Sequence, residues 1–217
     1  MKLELESICR EAENLVRDTG AYILSEAAHL HTISIEEKSK NSLVSKVDKK
    51  AEELLVDGLG KILPDAGYLT EEDVTENQLK DLNWIIDPLD GTTNFLYGIP
   101  SFCISIALQD KDDLVIGIIY ELGQKEMFTA WKNGGAKLNG KKITVSKRNN
   151  IEQTLLATGF PYYDFSQSAA YFDMIASLIN TTRGVRRIGS AAMDMAYVAC
   201  GRFDGFFEYS LQPWDVA

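Results

Sequence analysis

Apolar residues recur at steps of three and four positions in two segments near the start of the chain, residues 4–30 and 46–62. Such spacing places the apolar side chains on one face of a helix, so the pattern predicts a helix in each segment. Pro64 follows the second segment and is typical of a helix end. Between the two predicted helices, residues 35–45 are largely polar and favour an extended conformation.

From about residue 66 the pattern changes to short apolar or alternating runs, which indicate strands. We predict strands at residues 68–70, 84–86, 102–108, 114–120, 125–131, 155–158, 185–188 and 203–209, and helices at 171–179 and 190–200. The runs 114–120 and 125–131 are expected to pair as a hairpin. Helices first, followed by mixed strands with later helices, predict a layered α/β or α+β fold, whose sheet topology stays open.

The 217-residue chain is acidic, with 32 Asp and Glu against 22 Lys and Arg and a net charge of −10. Such a chain does not attract nucleic-acid phosphates over its whole surface, so no nucleic-acid partner is expected. It would also repel a small phosphate, unless bound divalent cations reverse the charge locally. Solubility alone explains the acidic balance at least as well.

The three cysteines, Cys9, Cys103 and Cys200, are isolated and show no CxxC spacing. This argues against a disulfide framework or a thiolate zinc site, and each is expected to pack as a small buried hydrophobe. No apolar run reaches the roughly 18 residues that suggest a membrane span, and the N-terminus lacks a basic-then-apolar signal. We therefore expect a protein of the reducing cytoplasm without a membrane partner.

The segment richest in candidate chemistry follows the predicted strand at residues 84–86. That strand delivers Asp87 at its end, and Pro88 is expected to stop it because proline has no N–H and a fixed φ. Gly91 allows a sharp turn. Thr92-Thr93 then offers hydroxyls and backbone N–H groups, as the start of a helix would.

Two carboxylates three residues apart, Asp87 and Asp90, can point into one small volume across such a turn. Like charges there are unfavourable without a cation, and ligands that are all oxygen fit Mg²⁺, Ca²⁺ or Mn²⁺. An ordinary turn explains the spacing about equally well. Further acids follow the strand at 68–70, in Glu71-Glu72-Asp73, and occur as Asp215 near the chain end. Each alone is typical of a solvated turn, but together they predict acids that converge on strand ends.

The segment Asp87-Pro-Leu-Asp-Gly-Thr-Thr-Asn94 resembles the first signature of the inositol monophosphatase family. Smaller matches follow the family order at residues 38–48, 71–72, 158–161, 189–192 and 214–217. The resemblance implies alternating layers of helices and mixed β-sheets, as in inositol monophosphatases and fructose bisphosphatases. It also implies a homodimer.

The chain departs from the family pattern at two places. Ser42 stands where the family usually has an Asp. This departure concerns the positioning of side chains near Lys38 and leaves the main metal ligands unchanged. Family chains usually continue for some tens of residues past the motif that ends at Ala217, so we expect the sequence to be cut short. We expect two parts, an α+β half at residues 1–150 with the main metal motifs and a truncated α/β half at 151–217.

The resemblance implies two Mg²⁺ ions, with a weaker third near Glu71 and with Mn²⁺ as a possible substitute. The first site maps onto Glu71, Asp87 and the carbonyl of Leu89, and the second onto Asp87, Asp90 and Asp215. Thr92, paired with Asp48, and Glu71 are expected to orient the attacking water as catalytic residues. Substrate contacts map onto Asp90, Gly91, Thr92, Gly189, Ser190, Ala191, Glu208 and Asp215.

The resemblance therefore implies a Mg²⁺-dependent phosphomonoesterase that hydrolyses inositol 1-phosphate with a metal-activated water. The same metal site would serve a fructose-1,6-bisphosphatase or a 3′-phosphoadenosine-5′-phosphate phosphatase, and a non-catalytic regulatory protein with this fold is a third hypothesis. Covalent hydrolases are disfavoured because no Ser/His/Asp or Cys/His set is visible.

Overall fold

The computed structural model describes residues 4–30, 35–39, 42–75, 78–161 and 164–217, and of residues 35–39 and 42–44 the backbone alone. The first helix, α1, runs over Leu5–Ala27, and the second, α2, over Lys46–Ile62. Both confirm the helices predicted from the spacing of apolar residues. Strands β1 (Ile35–Ser39) and β2 (Ser42–Ser45) pair antiparallel between the helices, which confirms the extended conformation predicted there.

A seven-stranded sheet forms the centre of the molecule, and its strands lie side by side in chain order. Its first two strands are parallel and all later neighbours are antiparallel. The members are β3 (Gly67–Thr70), β4 (Leu82–Asp90), β5 (Cys103–Asp110), β6 (Asp113–Glu121), β7 (Glu126–Trp131), β8 (Gly135–Leu138) and β9 (Lys141–Lys142). The predicted hairpin is the β6–β7 pair.

A second sheet of three parallel strands has β10 (Leu155–Thr158) between β11 (Gly184–Arg186) and β12 (Gly205–Phe207). The strand predicted at 203–209 is therefore shorter than expected. The remaining helices are α3 (Thr92–Leu96), α4 (Ser168–Thr181), α5 (Ala191–Ala199) and α6 (Pro213–Val216), with a 3₁₀ turn at Ile151–Gln153.

Two apolar cores hold these layers together. The larger core joins α1 and α2 to the seven-stranded sheet, and Leu55 of α2 and Trp84 of β4 are fully buried in it. In the smaller core, Met193 of α5 packs with Phe128 of the large sheet and Ala157 of the small sheet. Burial of a large apolar side chain contributes about 1.5–3 kcal/mol, so α5 is firmly fixed between the sheets. The layered α/β fold predicted from the element order is confirmed.

The expected end of β4 at Pro88 is wrong. Strand β4 continues to Asp90, and its pairing with β5 shifts register between Asp87 and Asp90. Pro88 lies in this irregularity, where one extra residue interrupts the ladder and a missing N–H costs little.

Within the described residues, none of the helices has the length and apolar character needed to cross a membrane. The division into halves at residue 150 stays a prediction.

Candidate metal and phosphate site

The end of β4 carries two of the predicted metal ligands. Residues three apart on a regular strand point to opposite faces, but the extra residue in the bulge allows Asp87 and Asp90 to face the same side. The carboxylate of Asp87 is only 2% exposed and accepts a hydrogen bond of 3.0 Å from the N–H of Leu89. Gly91 follows with φ at 94°, a left-handed conformation that favours glycine, and α3 begins at Thr92.

Four of the predicted carboxylates lie close enough to affect one another. Burial raises the pKa of Asp87 well above its ordinary value, and the negative charges of Glu71, Asp90 and Asp215 raise it further. Asp87 also shares a side-chain hydrogen bond with Glu71. The ends of β3 and β4 and the helix α6 thus bring together the acids that the sequence analysis predicted to converge.

The chemistry of this donor set fits a hard divalent cation. A hydrogen bond between two carboxyl groups requires a proton on one of them, and a bound cation would relieve the same repulsion. The side-chain ligands in this cluster are all carboxylate oxygens, the ligand type that Mg²⁺ prefers. In the conformation of the described ranges, however, no three acidic, histidine or cysteine side chains are arranged to hold an ion. The structure therefore shows the ligand types and their proximity, and it shows no coordination geometry.

A hydrogen-bonded pair beside this cluster joins two distant parts of the chain. The hydroxyl of Thr92 lies 2.8 Å from Oδ1 of Asp48 and 3.0 Å from the carbonyl oxygen of Leu89. The other oxygen of Asp48 accepts bonds from the N–H and hydroxyl of Ser45, which caps the start of α2. The aspartate is only 1% exposed, so its orientation is fixed from both sides.

The carboxylate of Asp90 connects the end of β4 to the start of α5. Its Oδ2 accepts hydrogen bonds of 2.7 Å from the hydroxyl of Ser190 and 2.8 Å from the N–H of Ala192. Burial raises the pKa of Asp90 to about 6, and these two bonds oppose that rise. The hydroxyl of Ser190 also caps α5, by accepting from the N–H of Met193.

A small cavity of about 50 Å³ opens beside Asp90. Its lining includes Asp90, Gly159, Arg187, Asp194, Glu208 and Asp215. Burial raises the pKa of Glu208 to about 7, and the charge of Asp90 adds to the effect. A larger cavity of about 420 Å³ lies elsewhere. The described residues that line it include no acid and are Pro64, Ala66, Gly67, Tyr68, Thr75, Gln78 and Lys80.

The structure also identifies residues to which the sequence analysis assigned no role. The side-chain amide of Asn94 donates to the carbonyl oxygens of Ser101 (2.7 Å) and Ile188 (2.9 Å), and so holds the segment before Gly189 against α3. The position of Asn94 inside the signature motif was the only signal for it. The buried Asp194 was not predicted either, because its helix reads simply as small and apolar.

The remaining predictions have mixed outcomes. Cys9 and Cys103 are buried as expected, whereas Cys200 is only half-buried, and all three are free thiols. The side chain of Lys38 lies outside the described residues.

Comparison with known proteins places these features in one family. Residues 4–217 match the model of the inositol monophosphatase family. Nus factor SuhB of Escherichia coli K12 is 39% identical over 207 residues, which span 95% of this chain and 78% of that protein.

Solved structures agree with the sequence relatives. The extragenic suppressor protein suhB of Bartonella henselae has a TM-score of 0.89 at 37% identity, over 94% of this chain and 79% of that one. Inositol monophosphatase from Anabaena gives 0.83 at 32%, over 99% and 79%. An IMPase/NADP phosphatase, solved with Mg²⁺ and phosphate, shares the fold with a TM-score of 0.83 at 22% identity, over 99% and 79%. With the signature motif on the bulged end of β4 and matches along the whole chain, this protein belongs to the inositol monophosphatase family.

Proposed function

We propose that this protein is a Mg²⁺-dependent phosphomonoesterase that hydrolyses inositol 1-phosphate to inositol and phosphate. The observation that carries the proposal is the buried Asp87, whose carboxylate lies within the field of Glu71, Asp90 and Asp215. A structural protein would gain nothing from four mutually repelling acids, because each costs stability unless a cation compensates it.

In this proposal, one Mg²⁺ ion would be held by Glu71, Asp87 and the carbonyl of Leu89. A second would be held by Asp87, Asp90 and Asp215. A weaker third site near Glu71, and Mn²⁺ in place of Mg²⁺, belong to the same proposal. When bound, such ions neutralise the phosphate and stabilise the charge that develops in the displacement.

Thr92 and Asp48 would orient the attacking water together with Glu71. The Thr92 hydroxyl directs its proton towards Asp48 Oδ1 or the Leu89 carbonyl, so a lone pair of the threonine oxygen stays available as an acceptor. A water that donates to this oxygen would be fixed in direction. Because Asp48 is itself held by Ser45, the acceptor is positioned before substrate arrives.

The phosphate would contact the backbone N–H groups of Gly91 and Thr92. With five residues, α3 is too short for a large helix dipole, so this contact depends on the N–H groups themselves. The leaving alcohol would face Gly189, Ser190, Ala191 and Glu208, with Asp90 and Asp215 at its other side. The carboxylates only accept hydrogen bonds when ionised, and this suits a leaving group rich in hydroxyl donors.

Fructose 1,6-bisphosphate and 3′-phosphoadenosine 5′-phosphate are the alternative substrates, because specificity depends on a few contacts around Glu208. A homodimer in a reducing cytoplasm also belongs to the proposal.

A second candidate function is regulatory. The E. coli relative that matches most of this chain is named a Nus factor, and that name favours a part in transcription. The expectation of no nucleic-acid partner is therefore only a prediction. The carboxylate cluster favours the enzyme, and the two functions do not exclude each other.

The deciding experiment measures inorganic phosphate released from inositol 1-phosphate with Mg²⁺ and with EDTA. Fructose 1,6-bisphosphate and 3′-phosphoadenosine 5′-phosphate run in parallel, with Asp90→Asn as the inactive reference. Release that requires Mg²⁺ and is fastest from inositol 1-phosphate supports the proposal. Faster release from another ester keeps the metal chemistry and overturns the substrate. No release from any ester by the metal-loaded protein favours the regulatory function.

A further inference from the structure

Asp194 is a buried acid that the proposed reaction does not use. It lies on the first turn of α5 and is 1% exposed. Its Oδ1 has no hydrogen-bond partner among the residues that the structure describes. A buried acceptor without a donor is costly, more so when it carries charge. The location near a helix N-terminus favours a negative charge, but it supplies no donor for this oxygen.

The surroundings of Asp194 indicate where a donor would come from. Asp194 and Glu208 line the same cavity of about 50 Å³, which exceeds the space that one water or hydroxyl group needs. The neighbouring Asp90 Oδ2 is already satisfied by Ser190 and Ala192. Asp194 thus lines this cavity and carries a buried acceptor oxygen that no described donor satisfies.

The charges around the cavity are also uneven. Burial raises the pKa of Asp194 to about 8, the charges of Asp90 and Glu208 raise it further, and Arg187 opposes the rise. Arg187 has the same opposing effect on Asp90 and Glu208. A ligand here meets four acids and one cation, so neutral hydroxyl donors are better accommodated than a second phosphate.

We infer that Asp194 is a specificity-determining residue of this cleft. Its side chain accepts a hydrogen bond from one hydroxyl of the leaving group, and Glu208 accepts from the neighbouring hydroxyl. This inference rests on the proposed phosphatase function. Two acceptors in one small cavity select an alcohol with neighbouring hydroxyls over an alcohol with none. A polyol phosphate gains both contacts, whereas an aryl phosphate gains neither.

The test compares kcat and KM for inositol 1-phosphate and p-nitrophenyl phosphate, at saturating Mg²⁺, in the wild type, Asp194→Ala and Asp194→Asn. The alanine variant is expected to raise KM for inositol 1-phosphate about tenfold, the cost of one hydrogen bond. KM for the aryl phosphate should change much less. Asparagine keeps an acceptor oxygen of the same shape and should recover part of the loss. The matched control is Asp112→Asn, which alters an exposed acid between β5 and β6.

An equal change on both esters, or none on either, would overturn the inference, because a merely structural residue does not distinguish leaving groups. Thermal unfolding establishes that each variant is folded. If the wild type hydrolyses neither ester, the proposed function fails, and calorimetric binding of inositol 1-phosphate to the Ca²⁺-loaded protein decides on Asp194 alone. Weaker binding by the alanine variant than by the wild type supports the inference, and equal binding or none contradicts it.

Discussion

Thr92 Oγ1 lies 2.8 Å from Oδ1 of Asp48, a residue 44 positions earlier in the chain. This bond connects the start of α3, directly after the metal-ligand motif, to the capped start of α2. The same carboxylate thus fixes a helix end and aims a hydroxyl at the proposed site. The backbone geometry of α2 is thereby coupled to the direction of the water that Thr92 would hold.

Thr92→Val should remove the oriented hydroxyl and keep the side-chain shape. We expect kcat to fall about 10²-fold, as for a misplaced reacting group, with KM nearly unchanged. Steady-state kinetics on inositol 1-phosphate measure the effect. Thr93→Val is the matched control, because Thr93 is exposed one position further along α3. Equal losses in the two variants would show that the helix, and not the hydroxyl, matters.

Metal removal and metal addition should change stability as well as activity. Saturating Mg²⁺ should raise the Tm of the wild type, because a ligand that binds only the folded state stabilises it. Asp87→Asn should abolish this response, since it removes the most buried of the proposed carboxylate ligands. Differential scanning calorimetry with Mg²⁺ and with EDTA measures both. A wild-type Tm that ignores Mg²⁺ would contradict the metal assignment without any assay of turnover.

Gly159 is expected to control the position of Glu208. A Cβ at residue 159 would overlap with Oε2 of Glu208. Gly159→Ala should therefore displace that carboxylate and raise KM for inositol 1-phosphate by about tenfold, the size of one lost charged hydrogen bond. Glu208→Gln, measured in parallel, should also raise KM for inositol 1-phosphate. A Gly159→Ala variant with normal kinetics would contradict this control of Glu208 by residue 159.

Arg148 should stabilise the second sheet through Asp204. Its Nε lies 2.7 and 2.9 Å from the two carboxylate oxygens, and Oδ2 also accepts from the N–H of Leu155. Arg148→Ala should lower the free energy of unfolding by about 2 kcal/mol, typical of a hydrogen bond to a charged group. Urea titration measures the loss. Lys147→Ala, an exposed neighbour, is the control and should change little.

The same pair predicts a pH dependence. Burial alone would raise the pKa of Asp204, but the bonds from Arg148 and Leu155 hold it below its ordinary value. A lowered folded-state pKa contributes stability above the unfolded value of about 3.9, and that stability is lost as pH falls through the folded pKa. Between pH 5 and 3 the wild type should therefore lose more stability than Arg148→Ala, so the difference between them narrows in acid. Equal losses of unfolding free energy in the wild type and Arg148→Ala over this pH range would contradict a lowered pKa of Asp204 caused by Arg148.

Thiol reactivity should follow burial. Burial raises the pKa of Cys9 to about 11, with a further contribution from Glu13, and burial raises that of Cys103 well above its ordinary value. At pH 8 neither thiol should react with a disulfide reagent in the folded protein, because the thiolate is the reactive form. Any native reactivity should come from the half-buried Cys200 and disappear in Cys200→Ser. Guanidinium should expose all three thiols.

The elements that the sequence predicted well are those whose signals are local. Helix α2 begins and ends at the predicted residues because Ser45 and Asp48 form a capping box and its apolar face is regular. The extension of β4 beyond Pro88 could not be predicted, because it depends on pairing with β5 across a bulge. Strands β8 and β9 lack apolar alternation and form only because β8 pairs with β7 and β9 pairs with β8.

The candidate site divides in the same way. The acids at strand ends were predicted from their spacing and from the family resemblance, and Glu71, Asp87, Asp90 and Asp215 do lie together. Asn94 holds a carbonyl 94 positions away, and no local pattern encodes such a contact. Asp194 is likewise distinguished only by tertiary burial.

Asp90 accepts hydrogen bonds from Ser190 and Ala192, 100 and 102 positions later in the chain, so the proposed site is built from both early and late segments. During synthesis, the seven-stranded sheet with Asp87 and Asp90 leaves the ribosome before α5, which completes the cleft, has been made. Contacts of such long sequence separation form late, because loop closure must precede them. Phosphate cleavage would then report complete folding, and two separately expressed fragments divided near residue 150 should be active only when they associate.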